Sequence, residues 1–214
     1  VESLTRGDQT YNDPAHGVKG PLFSVDYYGA DTLSFRRHNS KQATRYAVKP
    51  KYQPGTTDTL PFCPVIYLGL SRLVPFGEFQ NDEALSSIKK NLPQQYQNEI
   101  AALYKGFTNY DISFNATKQM GDIKVRSEFT SNIEGIDSNT ISAGEDNLSI
   151  ILTAVISLEY YYESISPSKE VESVLLIDEL DATLHPAFQI KLLDLFREMS
   201  EKYRIQVVFT THSI

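Results

Sequence analysis

The sequence has one cysteine, Cys63, among 214 residues. No disulfide can form within it, and a reducing cytoplasm is the expected compartment. It lacks any apolar run near the roughly 18 residues that a membrane span needs. No basic-then-apolar leader opens it. Glycine and proline, at 11 and 10 residues, are too few for a fibrous or disordered chain. Basic residues are outnumbered, 20 against 27 acidic ones, for a net charge of -7. That balance excludes a globally basic nucleic-acid surface and leaves room only for a local patch. No Gly-Lys dipeptide occurs. The loop Gly-x-x-x-x-Gly-Lys-Ser/Thr, whose backbone amides and lysine cradle phosphates, is therefore not among these residues. The chain starts at Val1 and stops at Ile214, just after a strand-like run where a sheet is expected to continue. It reads as a piece of a longer protein.

What is present is ordinary globular composition, 41% hydrophobic and 22% charged, enough for one domain with a sizeable core. Stretches 22–28, 32–36 and 44–48 have strand character at short spacing, which predicts an antiparallel sheet. Val65-Ile-Tyr-Leu68 reads as a buried strand ended by Gly69. Residues 81–91 predict a short helix begun by Asn81 or Asp82, and a second helix starts at Pro93 and ends at Gly106. Stretches 110–114 and 122–129 alternate as two more strands, before a polar loop at 131–140.

The pattern then changes. Leu148, Ile151, Leu152, Val155 and Leu158 fall at helical spacing. Val174-Leu-Leu-Ile177 is a continuous apolar strand, of the kind a parallel sheet covers on both faces. Leu192, Phe196, Met199 and Tyr203 form a second helical stripe with Pro186 near its start, and residues 205–210 read as another buried strand. Helix, strand, helix, strand in this order predicts an α/β core, with 174–177 and 205–210 adjacent and parallel.

Three features carry chemistry. Asp178 and Glu179 stand at the C-terminal tip of the apolar strand, the edge where open α/β sheets place their ligands. There one carboxylate can hold Mg²⁺ and the next can orient or deprotonate a water that attacks a terminal phosphate. A solvated acidic turn would show the same residues. His212 follows the next strand and reaches the same edge if the two strands are parallel; a structural histidine is the alternative. Ile141-Ser-Ala-Gly144-Glu145 precedes a helix, and a small hydroxyl residue with a glycine at a helix start favours an anion. Simple capping of that helix by Ser142 is the other reading.

In this order the three resemble the signature, Walker B and switch-histidine motifs of ABC-type ATPases. Ser142, Ala143, Gly144 and Glu145 look like the signature, residues 174–179 like Walker B, Leu180-Asp181 like the D-loop and Thr211-His212-Ser213 like the switch. The resemblance covers residues 141–214. Asp-Glu-Leu-Asp-Ala-Thr-Leu-His-Pro at 178–186 is similar to the DNA-repair, overcoming-lysogenisation and phage-defence branch rather than to membrane transporters. The segment 67–78, with Arg72, looks like bacterial Septu- and retron-associated defence ATPases.

The resemblance implies an ABC-type P-loop NTPase head, with a mostly parallel core sheet, an antiparallel β subdomain and a helical signature subdomain. Its parts would be a β-rich stretch with a core strand at 1–80, the signature subdomain at 81–165 and the Walker B to switch-histidine core at 166–214. It implies ATP and Mg²⁺ as cofactors. Asp178 would serve the metal, Glu179 and His212 catalysis, and Ser142, Ala143, Gly144, Glu145 and Asp181 the nucleotide. Two heads would close around ATP, making a dimer or higher oligomer, beside a partner nuclease and DNA or RNA, with no membrane. Without a P-loop these residues alone are expected to be inactive. A degenerate scaffold that binds a partner nuclease is the competing reading.

Weaker features remain. Arg36, Arg37, Lys41, Arg45, Lys49 and Lys51 cluster with Tyr46 and Tyr52, either as a nucleic-acid surface or as the solvated face of edge strands. Arg72 either faces a ligand or pairs locally. His185-Pro186 reads as helix-start geometry.

Overall fold

The computed structural model describes residues 18–26, 32–37, 48–52, 63–73, 85–87, 92–120, 124–164 and 172–212. Lys41, Arg45, Tyr46 and Ser213, and most of the strand expected at 44–48, lie outside them. The chain divides into two compact units, Val1–Phe62 and Cys63–Ile214.

In the first unit, β1 (Pro21–Val25), β2 (Leu33–Arg37) and β3 (Val48–Lys51) form an antiparallel sheet in that order. Alternation sorts its side chains by face. Phe23 stacks on the buried Phe35 at 4.9 Å on one face. Pairing Ser34 with Lys51 and Arg36 with Lys49 collects hydroxyls and cations on the other. Lys19, Arg36, Arg37 and Lys51 contribute to the lining of a cavity of about 250 Å³.

The second unit runs β4 (Val65–Leu68), a 3-10 turn (Leu70–Leu73), β5 (Leu85–Ser87), α1 (Gln94–Thr108), β6 (Ile112–Met120), β7 (Lys124–Ser131), α2 (Ala143–Ser164), β8 (Ser173–Ile177), α3 (Pro186–Tyr203) and β9 (Ile205–Phe209). Of the expected helix at 81–91 only 85–87 are described, and there it is corrected: Leu85–Ser87 is a strand, paired antiparallel with β6 from Leu85↔Met120 to Ser87↔Lys118. Cross-strand pairing decides the state of so short a segment, because three residues carry no helical period of their own. The hairpin β6–β7 also runs beyond the expected strands, since its outer half is polar and alternation marks only the Phe114↔Phe129 end. α1 continues past Gly106 to Thr108, and Asn109, with φ 65°, ends it in the left-handed conformation. Asparagine is the residue that most often takes that position when glycine does not.

α2 is the centre of the unit. It is apolar nearly all round, so it is buried rather than amphipathic, with Leu148, Ile151, Leu152 and Ile156 at 0% exposure. α1 packs against it through Tyr96, Ile100 and Tyr104, and Leu192, Phe196 and Met199 of α3 join the same core. β4, β8 and β9 form an all-parallel sheet in the order β4-β8-β9, so 174–177 and 205–210 are adjacent and parallel as the sequence predicts. Leu175, Ile177 and Ile205 face the helices and are buried. The opposite face carries two apolar rows in register, Val65–Val174 and Tyr67–Leu176–Val208, and ends at Asp178 and Thr210. No described helix is long and apolar enough to cross a membrane.

Candidate functional site

β8 ends at Ile177 and β9 at Phe209, in register, so Asp178 and Thr210 stand side by side just past them. Thr210 Oγ1 donates to Asp178 Oδ1 and accepts the Glu179 N–H, each at 2.7 Å. The Thr210 N–H donates to the Ile177 carbonyl at 3.0 Å, and its own carbonyl accepts the Leu180 N–H at 2.8 Å. Two residues on, His212 Nε2 lies 3.5 Å from Glu179 Oε1. The His212 backbone N–H donates to both Asp181 carboxylate oxygens at 3.2 Å. Asp178, Glu179, Asp181 and His212 therefore meet at one edge of one sheet.

The turn that presents them is held firmly. Leu180 and Leu184 are buried and root it in the core. Glu179 (φ 49°) and Thr183 (φ 65°) both adopt left-handed backbone, a region that non-glycine residues enter at a cost of about 1 kcal/mol. The Glu179 carbonyl accepts two bonds, from Ala182 N–H at 3.1 Å and from Arg72 Nη2 at 2.7 Å. Arg72 is buried, which pulls its pKa down, while the neighbouring Asp178 and Glu179 carboxylates push it back up.

The start of α2 meets the far end of this turn. Gly144 packs so closely that a Cβ there would lie 2.4 Å from the Thr183 carbonyl oxygen. Asn147 Nδ2 donates to the Ala182 carbonyl at 3.1 Å. Ser142 and Glu145 form a capping box: the Glu145 N–H donates to Ser142 Oγ at 3.2 Å, and Glu145 Oε2 accepts the Ser142 N–H and hydroxyl at 2.8 Å each. Glu145 also faces Tyr110 and, mainly through its charge, raises that phenol's pKa. The capping reading of Ser142 thus holds. Among the described residues no hydrogen bond joins Ser142, Ala143, Gly144 or Glu145 to Asp178, Glu179 or His212. His185 Nδ1 accepts the Ala187 N–H at 3.2 Å with Pro186 in the first turn of α3, which is helix-start geometry as read.

Two residues at the site carry more than sequence reasoning assigned them. Thr210, the last residue of the stretch read as a buried strand, touches both carboxylate residues. Aligning the two apolar runs would have found it, since it is the first polar residue past β9, as Asp178 is past β8. Asn147 drew no notice, although an amide inside the apolar stretch of α2 is itself a signal.

No cluster of three or more His, Cys, Asp or Glu among the described residues could hold a metal alone. Asp178 nevertheless fits Mg²⁺, an ion that keeps several waters and takes one or two carboxylates plus phosphate oxygens. One Asp178 oxygen is oriented by Thr210, and the residue sits at the mouth of the open sheet face.

The C-terminal edge where these residues meet is the edge at which open α/β sheets bind their ligands. Residues 148–214 match the model of a family described as AAA domain, putative AbiEii toxin, Type IV TA system. The match spans α2 to β9 and supports a P-loop ATPase-type domain with nucleotide-binding, ATPase-like function. No curated protein matches the chain.

Proposed function

We propose that this chain is part of the ATP-binding and hydrolysing head of a bacterial antiphage-defence or DNA-maintenance ATPase, in which two heads close around ATP. The observation that carries the reading is the meeting of Asp178, Glu179 and His212 at one edge of the β4-β8-β9 sheet. Bound Mg²⁺ would neutralise phosphate charge beside Asp178. Glu179 orients a water toward the terminal phosphate and accepts its proton. His212 donates a hydrogen bond to that phosphate, and Asp181 holds the His212 backbone in place. Glu179 and His212 lie near enough for one water to touch both. Ser142 and Gly144 at the start of α2 offer an amide-rich helix end to the nucleotide held by the opposite head. The basic face of β1–β3 is where nucleic acid would lie.

The test uses the intact natural protein. Glu179→Gln keeps ATP and Mg²⁺ binding but lowers turnover about 10²–10⁴-fold, the usual loss of a general base. ATP then persists between paired heads, so light scattering shows a nucleotide-dependent dimer. Asp178→Asn instead weakens Mg²⁺-dependent binding. Parental turnover in Glu179→Gln overturns the assignment. The competing scaffold reading rests on the missing Gly-Lys; it predicts an intact protein that pairs with its partner and shows no turnover at all.

A further inference from the structure

We propose that Arg72, with Asn147, is the positioning device that sets the backbone of Glu179; the proposal rests on the reading of Glu179 as the water-activating carboxylate. Arg72 lies on the 3-10 turn after β4 and is 2% exposed. Its guanidinium reaches three parts of the unit. Nη1 donates to the Leu68 and Gly69 carbonyls at 3.2 and 3.0 Å, fixing the group to the end of β4. Nε donates to Asn147 Oδ1 on α2 at 2.9 Å, and Nη2 to the Glu179 carbonyl at 2.7 Å.

Asn147 passes the linkage on. Its amide nitrogen bonds the Ala182 carbonyl at 3.1 Å, and the Ala182 N–H returns to the Glu179 carbonyl. Arg72 thus grips the turn directly at Glu179 and indirectly through Asn147.

This grip falls where the backbone most needs it. Glu179 has φ 49°, a conformation that persists only when its surroundings hold it. Thr210 Oγ1 fixes the peptide group before it, and Arg72 fixes the one after it. With both peptides held, the Cα–Cβ bond has one direction, and it sends the carboxylate toward His212. Lysine cannot replace this arrangement. It has one nitrogen, whereas the planar guanidinium spreads its donors over the Leu68, Gly69, Asn147 and Glu179 oxygens.

Arg72→Lys is tested in the intact protein beside Glu179→Gln and the double variant. ATP affinity should stay within about threefold. Turnover should fall on the order of 10²-fold, as for a catalytic group displaced by about an ångström. Added to Glu179→Gln, Arg72→Lys should slow single turnover no further. Asn147→Ala, a milder change, should show the same pattern at smaller size. Hydrogen exchange gives a readout independent of turnover: the amides of 180–184 should lose protection in Arg72→Lys while the centre of α2 keeps its own.

Equal slowing by Arg72→Lys in the parental and Glu179→Gln backgrounds overturns the proposal, as does unchanged turnover or exchange in both the Arg72 and Asn147 variants. If Glu179→Gln itself turns over at the parental rate, the site assignment fails instead. The two failures are thereby distinct.

Discussion

Gly144 sits in the first turn of α2 with the Thr183 carbonyl directly over it. The sequence reads this glycine as room for an anion; the structure also uses its missing Cβ to bring helix and turn together. Gly144→Ala must push α2 off the turn, because the obstructing atom is backbone. Overpacking of this kind costs about 1–3 kcal/mol, and a urea titration should show it as a lowered midpoint. Ser142→Ala removes only a cap, about 1 kcal/mol. The two losses should therefore rank in that order.

Where the candidate site residues lie was largely legible, because they stand at the ends of strong apolar runs. Asp178, Glu179 and His212 each follow such a run, and the runs set the strands in register. Arg72 and Asn147 were not legible in the same way. They are 75 residues apart, and nothing along the chain tells either one that the other is its partner.

Among the elements, α1, α2 and α3 bring together a group of acids and phenols. Tyr96 on α1 donates to Glu163 on α2 at 2.5 Å. Glu159, buried on α2, is bonded by Tyr203 on α3; burial raises its pKa most, and Glu99 and Glu163 add to this, while the Tyr203 bond and Lys202 oppose it. Burial, and then Glu159, likewise push the Tyr203 phenol upward. For Glu159 the sign follows directly. The folded state holds this proton more tightly than the unfolded chain does. The stabilisation is full below the ordinary value of 4.5 and is lost as pH rises through the raised folded value. Glu159→Gln keeps an acceptor for Tyr203 and removes the titration. Urea melts from pH 4.5 to 8 should show a smaller decline in stability for the variant than for the parent.

Element types were readable where periodicity was long, as in α2 and α3, or where an apolar run was unbroken, as in β4 and β8. The strand at Leu85–Ser87 owes its state to β6, more than thirty residues further on. The outer half of the β6–β7 hairpin is mostly polar, so it leaves no apolar alternation in the sequence. Alternation and helical stripes are written in apolar residues, so short or mostly polar elements escape them.

At the scale of the whole molecule, charge is unevenly shared. Residues 1–62 hold eight Lys and Arg against six Asp and Glu, within a chain of net charge -7. The acidic excess therefore lies in the unit that carries Asp178 and Glu179. Under the proposed function this suits a site completed by Mg²⁺, with polyanion contact confined to the other unit.

The open side of the β4-β8-β9 sheet bears on how the chain behaves in a tube. Val65, Tyr67 and Val208 are 51, 47 and 57% exposed, contiguous across strands that ordinarily have a layer on each side. Bare surface of this kind is adhesive. The 214-residue chain should bind an environment-sensitive dye and scatter light increasingly with concentration. Val208→Lys should reduce both while changing unfolding free energy by no more than about 0.5 kcal/mol, as for other surface substitutions. Purification yield and shelf life would then answer to this one apolar sheet face.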